Sequence, residues 1–205
     1  DFVATVLKRP RADGAGALGA FVAGLERTFP ASQSKLKPYC GYYFSYFQSP
    51  GSPGFITRCL VAVFQSGNHT YSKTVERLVV KTNRRRGLFV FKYQGLLLYA
   101  SDRLYMFEFE PLLNRSLATT VLYPTRRSSI ILVSGLVLSV TGNHAGQPFA
   151  SRIVWEYLGR APDLRAAIAG CGLYDGDDPD IDSEIRRRIK NSIEPGDVAL
   201  RAADF

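Results

Sequence analysis

The stretch Tyr39-Cys40-Gly41-Tyr42-Tyr43-Phe44-Ser45-Tyr46-Phe47 decides the fold, because six of its nine side chains are aromatic and they open a long region of period-two sequence. Aromatic side chains favour the pleated, half-buried surface of a strand and bury a large apolar area there. On a strand, Tyr42, Phe44 and Tyr46 share one face while Tyr43, Ser45 and Phe47 share the other. If the Tyr43 face borders a cavity it is a binding wall; otherwise it is core.

Working outward, alternating sequence predicts strands near 39–48, 55–65, 70–80, 88–94, 96–101, 103–110, 117–123, 129–141 and 149–158. Between them lie turn-forming segments such as Pro50-Gly51-Ser52-Pro53-Gly54, Ser66-Gly67-Asn68-His69, Arg86-Gly87, Ser101-Asp102 and Pro124. Connections this short join antiparallel neighbours and leave no room for crossover helices. The predicted class is mainly β with flanking α: an antiparallel up-and-down barrel, or a strongly curved half-barrel, of 8–9 strands. A two-sheet sandwich is the runner-up.

Residues 1–16 mix charge with Pro10, Gly14 and Gly16 and read as a linker or frayed terminus, leaving 17–205 as a single domain. Leu18, Phe21, Val22, Leu25 and Phe29 form one helical stripe that Pro30 stops, predicting an N-terminal helix over 17–29. Two C-terminal helices are predicted over 162–170 and 179–193, the second capped by Asp178 with Pro179 at its first position. Ile181, Ile185, Ile189 and Ile193 recur every four residues, so this narrow stripe docks on the sheet or, through Ile181, Ile185 and Ile189, on a second copy of the chain.

The chain begins at Asp1, so an upstream leader or further domain is expected. No window of 18 residues is apolar and uncharged, and no membrane span is predicted. Cys40, Cys59 and Cys171 are odd in number and lack a CxxC pair, which fits reduced, buried thiols and a cytoplasmic location. The net charge of +8 favours an anionic partner.

Motifs for chemistry are sparse. The two histidines, His69 and His144, both follow Gly-Asn in turns, and neither has Cys or acidic partners at metal-ligand spacing. The acidic run from Asp175 fails the calcium-loop pattern, because Pro179, Asp180 and Arg186 stand at its fifth, sixth and twelfth positions. Neither GxxxxGK[ST] nor GxGxxG after a strand occurs, so no metal and no cofactor is predicted.

Charged residues within apolar strands are the remaining leads, since a charge facing a barrel interior needs a partner or a ligand. The leading expectation is a non-enzymatic sensor domain, the ligand-binding part of a larger and possibly transcriptional regulator. It binds a small anionic or amphipathic molecule, with Tyr43, Tyr46 and Trp155 stacking on it, Arg58 or Lys92 meeting its charge, and Glu108 on a neighbouring face. The alternatives are a nucleic-acid-binding sheet using Arg84, Arg85, Arg86, Arg126 and Arg127 with Phe89, Phe91 and Tyr93, and a small enzyme using a cysteine or the Glu108 and Glu110 carboxylates.

Overall fold

The computed structural model describes residues 16–30, 32–82, 85–112, 116–125, 129–142 and 146–204. Eight antiparallel strands follow one another round a closed barrel: β1 Gly41–Gln48, β2 Phe55–Ser66, β3 His69–Thr82, β4 Arg85–Ala100, β5 Arg103–Phe109, β6 Leu117–Leu122, β7 Leu132–Val140 and β8 Pro148–Gly159. Closure is made by β1, which pairs with β2 on one edge and with β8 on the other. Short turns force each strand beside its predecessor. Between β4 and β5 the loop is only Ser101-Asp102, both with positive φ, the conformation whose twist matches a tight hairpin.

Two predicted strands, 88–94 and 96–101, are one continuous strand, β4. The glycine between them is not a turn. Gly95 faces inward opposite Glu108, and a Cβ there would lie 2.0 Å from the Phe107 carbonyl oxygen. The residue type answers a close approach of two strands rather than a chain reversal.

A ninth strand, β9 Gly172–Asp175, falls outside the expected set. It pairs with Phe55 to Arg58 of β2, where β3 has already departed; the last β2–β3 pair in that direction is Leu60 with Val75. Beyond that point 76–82 of β3 pair only with β4, and β4 meets β5 only from Gln94 onward. The outer part of the β3–β4 hairpin is therefore a two-stranded ribbon extending past the barrel wall.

Helix α1, Gly16–Thr28, lies within one residue of the expected span at each end, with Phe21 of the expected stripe exposed. It is followed by α2, Ser32–Leu36, and a 3₁₀ turn, Lys37–Tyr39. Leu36 and Tyr39 join Tyr43, Val63, Leu97, Leu104 and Leu122 in one buried cluster and fill one end of the barrel. The Tyr43 hydroxyl donates to the Tyr39 carbonyl at 2.7 Å, and the Tyr39 hydroxyl accepts from the Thr125 amide at 2.9 Å.

The C-terminal helices are shorter than expected: α3 spans Leu164–Ala169 and α4 spans Ser183–Arg188. Asp178 closes a local turn by accepting from the Asp180 amide at 2.9 Å, and Asp182 is the residue that caps α4. Ile181, Ile185 and Ile189 are buried against Tyr46, Ile56 and Val154 on the outer face of the barrel. The stripe expected to dock on the sheet or on a second copy is thus covered within the chain. Ile193 lies past the helix and is exposed. Among the described residues no helix is long and apolar enough to cross a membrane.

Candidate functional site

The alternation of each strand decides what the barrel interior holds. From β1 it receives Tyr43, Ser45 and Phe47; from β2, Cys59 and Val61; from β3, Ser72, Thr74 and Glu76; from β8, Ile153 and Trp155. Large side chains fill the end near Tyr39. Towards the other end the inward residues shorten to Ser45, Cys59, Ala118, Thr120 and Ser139, and they leave a cavity of about 460 Å³. Eight-stranded barrels sit at the size where the interior is either filled or holds one small ligand.

The β3–β4 ribbon forms part of the mouth. Leu78, Phe89 and Phe91 from the ribbon and Phe47 and Phe149 from β1 and β8 line it. The Phe91 ring reaches to 3.5 Å from where a Cβ would stand on Gly142, at the start of the β7–β8 turn. Leu173 of β9 completes the wall where β3 leaves β2.

Hydroxyl groups are spread round the wall, from Ser45 and Ser49 to Thr120, Ser139 and Thr141, but the only ionisable carboxyls among the described lining residues are Glu76 and Glu108. Glu108 is 5% exposed, and its Oε1 accepts from Ser72 Oγ and Thr74 Oγ1, both at 2.8 Å. Burial raises its pKa, against the lowering effect of the two hydroxyls. One strand step nearer the mouth, Glu76 is half-buried and makes no hydrogen bond among the described residues. Desolvation pushes its pKa up to about 7. The indole N–H of Trp155 is buried with no acceptor among the described residues. Burial also pushes the Cys59 thiol well above its ordinary range.

No Lys, Arg or His is found among the described residues lining this cavity. The absence matters, because the expected ligand was anionic or amphipathic, and only the second fits this wall. Of the expected site residues, the structure brings Glu108 and Trp155 together on the cavity wall. Tyr43 faces inward but is fully buried behind Trp155, ring centroids 5.2 Å apart, in the filled part of the barrel. Tyr46 points outward to the isoleucine stripe, with its hydroxyl donating to Glu156 Oε2 at 2.6 Å.

Arg58 also points outward. Its guanidinium lies over the rings of Phe44 and Tyr174, 4.8 and 4.1 Å from their centroids, donates to the Gly170 carbonyl at 2.6 Å, and meets the Tyr174 hydroxyl. Lys92 is exposed on the outer side of β4. Parity is the reason: Cys59 and Phe91 face inward, so their neighbours Arg58 and Lys92 cannot. Neither Arg58 nor Lys92, expected to meet the charge of a ligand, lines the cavity beside Trp155.

The residues of the alternatives fare unevenly. Arg84, Arg126 and Arg127 lie outside the described residues, while Arg85 and Arg86 begin β4 in the ribbon. Phe89, Phe91 and Tyr93, expected as a stacking platform, turn toward the cavity. Glu110 is buried away from it and accepts from the Leu112 amide at 2.9 Å, so it makes no catalytic pair with Glu108 in that space.

Glu76, Ser72 and Thr74 were not singled out from sequence. Their signal was present, since three polar residues share one face of β3 at period two, but that pattern equally describes a solvated face.

No family model, curated protein or solved structure matches this chain. Its chemistry is read from its own side chains. A second, more apolar groove of about 680 Å³ lies outside the barrel between α1 and Leu96, Leu98, Phe107, Phe109 and Leu117.

Proposed function

We propose that this protein is a non-enzymatic ligand-binding module, the sensory part of a larger regulatory system, that takes one small amphipathic molecule into the open end of its barrel. The observation that carries this reading is the cavity of about 460 Å³, apolar and aromatic over most of its wall, with hydroxyl groups spread round it and the carboxyls of Glu76 and Glu108 on it. That size and mixture are typical of sites for small molecules. The ribbon offers a route for signalling occupancy. Phe89 and Phe91 face the bound molecule, while Leu88 and Val90 on the opposite side are exposed to a partner.

The thiols favour binding over catalysis. Cys40, Cys59 and Cys171 are all raised above the ordinary thiol range, chiefly by burial. A neutral thiol is a poor nucleophile.

Trp155 is the only tryptophan of the chain and lies on the cavity wall, so its fluorescence reports occupancy. Titration with the neutral apolar probe N-phenyl-1-naphthylamine should give saturable, equimolar energy transfer from Trp155. Ala118→Phe, which fills the cavity from β6, should abolish it. Unsaturable transfer, or transfer undiminished in that variant, would count against the reading.

A further inference from the structure

Two groups of the cavity wall have no protein partner among the described residues. The half-buried Glu76 carboxyl has no donor, and the Trp155 N–H, on a residue only 1% exposed, has no acceptor. A polar group withdrawn from water without a partner costs free energy, and the cost is larger when the group is charged. Glu108 differs, because Ser72 and Thr74 already satisfy one of its oxygens.

The two unmet groups sit at a common level of the barrel. Trp155 stands opposite Ser45, and Ser45 opposite Cys59. Glu76 follows on β3, one position past the final Leu60–Val75 pair. Three strand spacings separate them, roughly 14 Å along the wall and less across the interior. Phe91 is the cross-strand partner of Glu76 and presents a ring to the same space.

We propose that the ligand of this cavity is an organic amine, its ammonium group seated on Glu76 beside the Phe91 ring. This assignment rests on the reading of the barrel mouth as a ligand site. An ammonium satisfies the carboxylate by a charge-assisted hydrogen bond and is attracted to an aromatic face. A carboxylate or phosphate ligand would instead meet two acidic side chains, with no cation among the described lining residues to offset them. An alcohol satisfies the geometry but not the charge.

Three molecules of one chain length separate these cases: octylamine, 1-octanol and octanoate, titrated against Trp155 fluorescence and checked by thermal shift. At about pH 8 the amine is protonated and Glu76 is ionised. Octylamine should bind about tenfold or more tightly than 1-octanol, the range expected of a hydrogen bond to a charged group, and octanoate should be weakest. Glu76→Gln, which keeps the side-chain shape, should remove most of the preference for octylamine over 1-octanol.

Octanoate binding as tightly as octylamine, or an amine preference that survives Glu76→Gln, overturns the assignment and leaves the cavity reading standing. Failure of all three ligands while the naphthylamine probe still binds does the same. Failure of the probe as well overturns both.

Discussion

Gly95 lies directly opposite Glu108 on the β4–β5 ladder, and the glutamate side chain occupies the space beside it, with Cγ 2.7 Å from the position of a Cβ at residue 95. The absence of a side chain on β4 is what admits a carboxylate to the barrel interior, where the Ser72 and Thr74 hydroxyls receive it. Gly95→Ala forces a methyl against the Phe107 backbone, which cannot rotate away. It should destabilise by about 3 kcal/mol, the upper end of overpacking costs, in urea denaturation. Gly51→Ala, with nothing within 4 Å of its Cβ, should be near neutral.

Glu76 makes stability depend on pH. Its folded pKa of about 7 lies above the ordinary carboxyl value of about 4.3, so folding favours the protonated form. The stabilising contribution of that proton is complete below the unfolded value and is lost as pH rises through about 7. The groups facing it are Cys59 on β2 and Tyr93 on β4, both raised above their ordinary ranges and neutral in this window, and Glu108 on β5, present in parent and variant alike. The stability advantage of Glu76→Gln over the parent should grow between about pH 5 and pH 8 in denaturant titrations. Parallel curves would show that Glu76 is solvated.

Trp155 tests the cost of the orphaned donor. Truncation to alanine should cost about 3–5 kcal/mol through the lost volume. Trp155→Phe should cost far less, because it also removes a buried N–H whose missing partner costs about 1–3 kcal/mol. Far-UV circular dichroism during chemical unfolding measures both, and equal losses would mean the N–H is satisfied in solution.

Arg58 joins β2, β9 and the end of α3 from outside the barrel. Arg58→Leu removes two ring contacts and the bond to the Gly170 carbonyl, for a loss of about 2 kcal/mol and faster amide exchange in β9. Lysine should not restore it, since a point charge cannot serve two rings and a carbonyl together. Octylamine and 1-octanol affinities should be unchanged in either variant. A change would place Arg58 in contact with the ligand after all.

Ile185 is 2% exposed beneath Tyr46 and Val154. Ile185→Ala should cost about 2–5 kcal/mol by leaving a cavity. Because the contact is within one chain, the unfolding midpoints of parent and variant should not shift with protein concentration. Concentration dependence would indicate that this face is shared between copies.

Much of the barrel is legible in the chain. Period-two alternation from Tyr39 to Leu158, broken by Pro-Gly, Gly-Asn and Ser-Asp turns, leaves neighbouring antiparallel strands as the economical arrangement. Alternation alone also places Arg58 and Cys59 on opposite faces of one strand, and Tyr46 and Ser45 on opposite faces of another. It does not say which set faces inward. Both faces of β1 are aromatic, and both become buried, one inside the barrel and one beneath the isoleucines of the C-terminal segment. With no polar face to mark the outside, the pattern is symmetric. The four residues of β9 are too short to show a period and exist because β3 leaves an unpaired edge on β2.

What the sequence determines by itself is local: the alternation of side chains, the turn chemistry, and hence a curved antiparallel meander. Only the tertiary structure decides that Leu36 and Tyr39 fill one end, that the other stays open, and that Glu76 and Trp155 from distant strands face the same space. Closure is the physical reason. Which side of a strand is interior, and how much of that interior is filled, depends on residues brought together across the barrel rather than along the chain.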